Sequence, residues 1–359
     1  MSSETTKGST EPLKQDSNEH VQSESGPQWQ DWTIESIKLP DFNPPGLEVD
    51  HEGAEIQIEN PYVVNPIERD HNVKEADRPW HTYKSEKKYF LPNDNAELSR
   101  LDRQHIMWTH ILDGDLYKAP VKDPKHVLDL GTGSGIWATE FAKSHPNAQV
   151  LGVDLSKPMP PDVPPNCRFE ELDFTDPWPY EQKFDLIHAR LIFVAQSDPF
   201  KLLKAAYDAL APGGYLEHHE LYGVPLSPDT SFTGTYLERF FFNTVVASAR
   251  LGNDMLAVPR YRTWMERDLG FEAVAELHRA LPLNAWPGGK YKAVGAMQRT
   301  NLEAGIPGIY TRMLMRGLGW GAEETAEAVQ RAVKEVGDPA VHAYFPVFVV
   351  YGRKPLDAA

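Results

Sequence analysis

A chain of 359 residues, 41% of them hydrophobic, can bury one large domain with insertions or two smaller ones. Its net charge of −16 denies it the lysine and arginine surplus that nucleic-acid phosphates require, which argues against direct nucleic-acid binding. No apolar run reaches membrane-span length, and the single Cys167 excludes a disulfide framework or a thiolate zinc cluster.

Residues Met1–Gly26 are rich in Ser, Thr, Glu, Gln and Lys, lack the apolar stretch of a secretory signal, and read as a disordered tail. Over 27–79, Trp29, Trp32, Phe42 and Tyr62 occur without helical or strand period, which predicts an irregular arm preceding a domain over 80–356. These features fit a reducing, cytoplasmic setting. Apolar residues at helical spacing, among them Leu98, Leu101, Ile106 and Ile111, predict a helix over Asn95–Tyr117. Strands are predicted at His126–Leu130, Gln149–Val153, Arg168–Phe174, Phe184–His188 and Tyr215–Leu221. Helices fit Ile136–Ser144 and Asp198–Leu210, the second stopped by Pro212-Gly213-Gly214. Regular alternation of this kind argues for a doubly wound parallel sheet. Beyond Pro228 the pattern predicts helices at Phe232–Leu251 and Tyr261–Leu269, then a strand at Phe271–Leu281. Helices at Lys292–Gly317 and Glu323–Val336 and a closing strand at His342–Arg353 complete the chain, with the helices around 285–337 read as an inserted lid.

The apolar run ending at Leu130 meets the turn Gly131-Thr132-Gly133-Ser134-Gly135, and a second apolar run ends at Asp154. One βαβ unit with a glycine turn after its first strand and an acid after its second suits an adenosine-containing cofactor, the acid taking the ribose hydroxyls. A dinucleotide fingerprint needs Gly or Ala where Ile136 stands. Asp129, two residues before the first glycine, would repel a pyrophosphate and suits a ligand with an ammonium group. The cofactor so indicated is S-adenosyl-L-methionine, with Asp129, Gly131, Gly133 and Gly135 cradling its methionine side and Asp154 its ribose.

Five segments carry a closer likeness: Tyr89–His105, Leu128–Ala142, Gly152–Asp173, Phe184–Arg190, and the C-terminal pair Pro282–Pro287 with Val341–Pro355. With these, Trp80–Leu356 resembles the LaeA-like methyltransferases of filamentous fungi, within the class I S-adenosylmethionine-dependent enzymes. The resemblance implies a doubly wound, seven-stranded, mostly parallel α/β sheet with a helical lid insertion. It also implies that Asp173 accepts from the adenine amino group while Phe174 packs on the ring, a part that Asp176 can equally play. Members of this family are either enzymes acting on pathway intermediates or nuclear regulators with velvet-type protein partners. The chain is therefore expected to methylate a small-molecule acceptor, with the nuclear regulator as the alternative.

Candidates for acceptor chemistry lie at later strand ends. Alternation puts His188 and Arg190 on one face, where Arg190 needs an anion such as a methionine carboxylate, and His188 is either functional or a buried, hydrogen-bonded core residue. His219 or Glu220 is a candidate base, whereas His218 and His219 point to opposite faces and share no metal ion. The acceptor pocket is expected under the Asn95–Tyr117 and Lys292–Gly317 helices, lined by Trp108, Tyr117, Trp286, Tyr291, Tyr310 and Met313, with Tyr89 nearby. No catalytic dyad is legible, and an activated sulfonium needs mainly alignment.

Overall fold

The computed structural model describes residues 94–358 apart from 159, together with 42, 44, 46–50, 72–75 and 78–81. The predicted tail, most of the predicted arm, and Tyr89 lie outside the described residues. A two-stranded antiparallel hairpin, Asn72–Glu75 with Arg78–His81, stands apart from the main sheet.

Seven strands make that sheet: β1 (His126–Leu130), β2 (Gln149–Asp154), β3 (Cys167–Glu171), β4 (Phe184–Arg190), β5 (Leu210–Leu221), β6 (Glu272–Pro282) and β7 (Tyr344–Arg353). Their order is β3-β2-β1-β4-β5-β7-β6, with β1 to β5 mutually parallel and β7 antiparallel to both its neighbours. Strand order reverses between β1 and β4, and open α/β sheets hold ligands in the crevice beyond the strand ends at such a switch point.

The strands are buried on both faces because alternate residues feed two layers. Val127, Val150 and Leu186 pack under Trp137 and Phe141 of α2 (Ile136–Ser144). Leu128, Ile187 and Leu216 face the other way, onto Leu203 and Ala206 of α3 (Pro199–Ala209) and Tyr261 of α5 (Tyr261–Thr263). A short π-helical turn, Trp264–Asp268, continues α5 toward β6.

Three more helices, α4 (Tyr236–Arg250), α6 (Gly289–Leu318) and α7 (Ala322–Val336), form a layer of their own. They share one apolar core with Val347 and Val349 of β7 and with Trp108 and Ile111 of α1 (Asn95–Ile111). The lid therefore draws on α4 as well as on the predicted 285–337 segment. Phe42 stacks on His278 of β6 at 4.7 Å, and Asp50 forms an ion pair with Lys292 at the start of α6.

Boundaries differ from expectation at two places that matter for the site. The first helix stops at Ile111 because Asp113 and Gly114 adopt φ of 59° and 95°, which turns the chain and puts Tyr117 against Phe141. The third strand stops at Glu171, leaving Asp173 and Phe174 in the turn after it.

One contact sets how closely the lid packs. A Cβ on Gly317 of α6 would lie 2.5 Å from the Ala247 carbonyl oxygen and 2.7 Å from its Cα, both backbone atoms of α4. Helix propensity alone favours Ala over Gly by ~1 kcal/mol. Overpacking against backbone reverses that sign, so Gly317→Ala should destabilise by about 1–3 kcal/mol in urea unfolding, and a stabilised variant would contradict the contact.

Candidate active site

A cavity of about 520 Å³ opens at the switch point, floored by Gly131, Gly133, Asp154 and Asp173 and roofed by residues of α1 and α6. Gly131 and Gly133 have φ of 63° and 60°, and a Cβ on Gly131 would stand 2.6 Å from Ile192 Cγ2. The turn thus requires glycine for both conformation and space. Gly135 takes a different part: it caps α2 with φ 83° and lies against the Phe169 ring, away from the cavity lining.

Asp154 pins this turn from the end of β2. Its Oδ2 accepts from the Gly133 amide at 2.8 Å and its Oδ1 from the Leu155 amide at 2.7 Å. Asp173, also at the cavity wall, accepts from the Thr175 amide and hydroxyl at 3.0 and 2.5 Å, and Phe174 lies beside it facing Gly131.

Asp129 is buried and turned inward. Its Oδ2 accepts from Thr132 Oγ1 at 2.6 Å and its Oδ1 meets His188 Nδ1 at 2.7 Å. Burial pushes its carboxyl up to about 7, opposed by the Thr132 bond and the charge of Arg190. His188 stacks on Trp137 at 3.8 Å, nearly parallel at 3°, and burial holds its ring well below the usual histidine range. His188 and Arg190 do share a face, and both border a side cavity of about 40 Å³ behind the glycine turn.

Arg190 is the unusual group. It borders both cavities, and no carboxylate among the described residues lies within ion-pair distance. Its Nη2 instead meets His105 Nδ1 of α1 at 3.0 Å, and His105 Nε2 meets Glu140 Oε2 of α2 at 2.9 Å. A guanidinium only donates, so His105 Nδ1 must accept and its Nε2–H must donate to Glu140. Burial and the Arg190 charge lower the His105 pKa against the pull of Glu140, keeping the ring neutral in this tautomer. Burial brings Arg190 down to about 10, still charged at neutral pH. Sequence reasoning passed over His105, because a single histidine within an amphipathic helical segment carries no motif of its own.

The two base candidates on β5 do not reach the cavity. His219 is fully buried, with its Nε2 2.5 Å from Glu217 Oε1 and its ring stacked on Trp108. Burial alone would raise Glu217, but His219 and the amide of Ala119 outweigh it and hold the carboxyl low. Glu220 accepts from the Ile192 amide at 3.0 Å and is driven well above the carboxylate range by burial. Both residues brace loops rather than face an acceptor. The expected aromatic lining is corrected likewise: of the six residues only Tyr310 lines the cavity. Trp108 and Met313 are core, Tyr117 leans on Phe141, and Trp286 and Tyr291 pack together behind the lid. Each ring satisfied a neighbouring apolar surface first.

A glycine turn pinned by an acid at the next strand end, a second acid in the following turn, and a cation at the fourth strand with no carboxylate in ion-pair reach among the described residues suit a class I methyltransferase. A family model described as a methyltransferase domain matches residues 111–271. Methyltransferase pytC of Aspergillus terreus is 32% identical over 272 residues, covering 74% of this chain and 83% of that protein. Protein-methionine methyltransferase laeA of Emericella nidulans is 30% identical over 301 residues, covering 83% of this chain and 80% of that protein. Phosphoethanolamine N-methyltransferase 2 of Haemonchus contortus, solved with S-adenosyl-L-methionine, superposes at a TM-score of 0.40 with 16% identity over 70% of this chain and 52% of that one, too loosely to carry the assignment. The chain belongs to the LaeA-like fungal family of class I S-adenosylmethionine-dependent methyltransferases.

Two substitutions separate the parts of this site. Asp154→Ala should weaken S-adenosylhomocysteine binding in calorimetry by about 1.5–3 kcal/mol, the range for hydrogen bonds to a charged group. His105→Phe should weaken it about tenfold, ~1.4 kcal/mol, while leaving 5′-methylthioadenosine, which lacks the amino-acid end, unchanged. Equal losses for both ligands would show that His105 acts on the fold and not through Arg190.

Proposed function

We propose that this enzyme methylates a small-molecule intermediate of secondary metabolism. The carrying observation is that one cavity of about 520 Å³ runs from the glycine turn to the underside of α1 and α6, a size suited to small ligands. The cradle residues fit S-adenosyl-L-methionine: two glycines whose side-chain space is taken, two carboxylates in the wall, and a cation with no carboxylate partner among the described residues.

When bound, the cofactor supplies an electrophilic methyl group on sulfur, already activated for in-line displacement. On this reading Asp154 takes the ribose hydroxyls, Asp173 and Phe174 hold the adenine, and Arg190 binds the methionine carboxylate. Asp129 fixes the turn through Thr132 and orients His188. No histidine lines the main cavity among the described residues, so alignment carries the rate and a released proton passes to a wall carboxylate or to solvent.

The regulator reading, with its velvet-type partner in the nucleus, draws on the likeness to laeA, whose name makes a protein methionine its acceptor. Against a protein-docking role, the only large apolar side chains exposed among the described residues are Val163 and Leu356, which form no patch. No helix among those residues is long and apolar enough to cross a membrane.

Incubating the enzyme with methyl-labelled S-adenosyl-L-methionine and a host metabolite extract should place the label in the low-molecular-weight fraction. Label confined to protein would overturn this reading in favour of the regulator.

A further inference from the structure

Four polar side chains hang from the cavity roof and take no part in the cradle: Glu97 and Arg100 on α1, Gln298 and Asn301 on α6. All are buried, at 4%, 3%, 2% and 5% exposure, yet all border the cavity. Arg100 donates from Nε and Nη2 to the Glu97 carboxylate at 3.0 and 2.6 Å, and from Nη1 to Asn301 Oδ1 at 2.8 Å. Asn301 Nδ2 in turn donates to Gln298 Oε1 at 2.9 Å.

The direction of this chain is fixed at its first member. A guanidinium has donors and no acceptor, so Asn301 must present its oxygen to Arg100 and its amide nitrogen to Gln298. Gln298 must then present its oxygen to Asn301. Its Nε2 is left with no acceptor among the described residues, in a side chain almost wholly buried at the cavity wall. That donor is open to the cavity, where a ligand oxygen can accept from it. Gly305 keeps the network in place: a Cβ there would stand 3.0 Å from Arg100 Cδ, so the arginine stem lies flat against α6.

We propose that Gln298 Nε2 recognises the methyl acceptor by donating to an oxygen of an uncharged, carbonyl-bearing molecule. The inference rests on the small-molecule reading above. Charge selects against an anion: Glu97 neutralises Arg100, Asp94 borders the same region, and Arg190 serves the cofactor carboxylate. An ammonium brings only donors and has no lone pair to accept from Gln298 Nε2. A site built to hydrogen-bond one group discriminates strongly against analogues that cannot complete the bond.

Saturation-transfer NMR on the full chain loaded with S-adenosylhomocysteine tests this with three probes sharing one ring: acetophenone, benzoate and benzylamine. Acetophenone should bind at least about tenfold more tightly than the charged pair. Gln298→Met should abolish that preference, and Gln298→Glu should do the same, while S-adenosylhomocysteine affinity stays unchanged. Equal binding of the three probes to the unmodified enzyme, a preference for benzoate or benzylamine, or acetophenone binding that survives Gln298→Met would overturn the assignment and leave the small-molecule reading standing. Failure of the unmodified enzyme to bind S-adenosylhomocysteine would bring down both.

Discussion

A half-buried guanidinium whose partner is a neutral imidazole is the constraint on which this site depends. Burying a charge without a counter-ion is expensive, and the usual remedy is a carboxylate within hydrogen-bond reach. The chain has one close at hand in Asp129, which helps to keep Arg190 charged but is itself taken up by Thr132 and His188. Arg190 is steadied by His105, which supplies a lone pair and no charge. The arrangement keeps its electrostatic demand open for a ligand.

Around it the interior of β4 and β5 carries a layer of histidines and acids whose work is support. His188 lies between Trp137 and the edge of His219, and His219 lies between Glu217 and Trp108. Each imidazole offers a flat face for stacking and one nitrogen for a hydrogen bond, so a polar residue fills an aromatic-sized space in the core. The carboxylates reach outward from the sheet to backbone amides: Glu217 to Lys118 and Ala119, Glu220 to Ile192. In this way the sheet positions the loops at both sides of the cavity.

Sequence patterns of period two and period 3.6 placed nearly every element, since strands such as His126–Leu130 and helices such as Ile136–Ser144 are buried enough for periodicity to dominate. The glycine turn with Asp154 was legible because positive φ and close backbone approach leave a compositional mark. The roof was not. Arg100, Gln298 and Asn301 sit on helices where polar residues are expected to face solvent, and only the meeting of α1 with α6 turns them inward, as Glu140 and Arg190 do for His105. Aromatic content misled for the opposite reason: Trp286 and Tyr291 signal apolar burial wherever it occurs, and here it occurs behind the lid.

The two halves of the cavity are completed at different points along the chain, because the roof joins α1, before the cradle, to α6, long after it. Everything that forms the cofactor cradle is present once residue 190 has been made, whereas Arg100 meets Asn301 across a separation of 201 residues. Synthesis proceeds from the N-terminus and early units tend to fold first. A nascent chain can therefore assemble a glycine turn with Asp154 and Arg190 before it owns a chamber for any acceptor. Until α6 emerges, α1 lacks its partner and its buried polar face is open to water. The order of synthesis thus builds the donor half of the enzyme ahead of the half that decides what receives the methyl group.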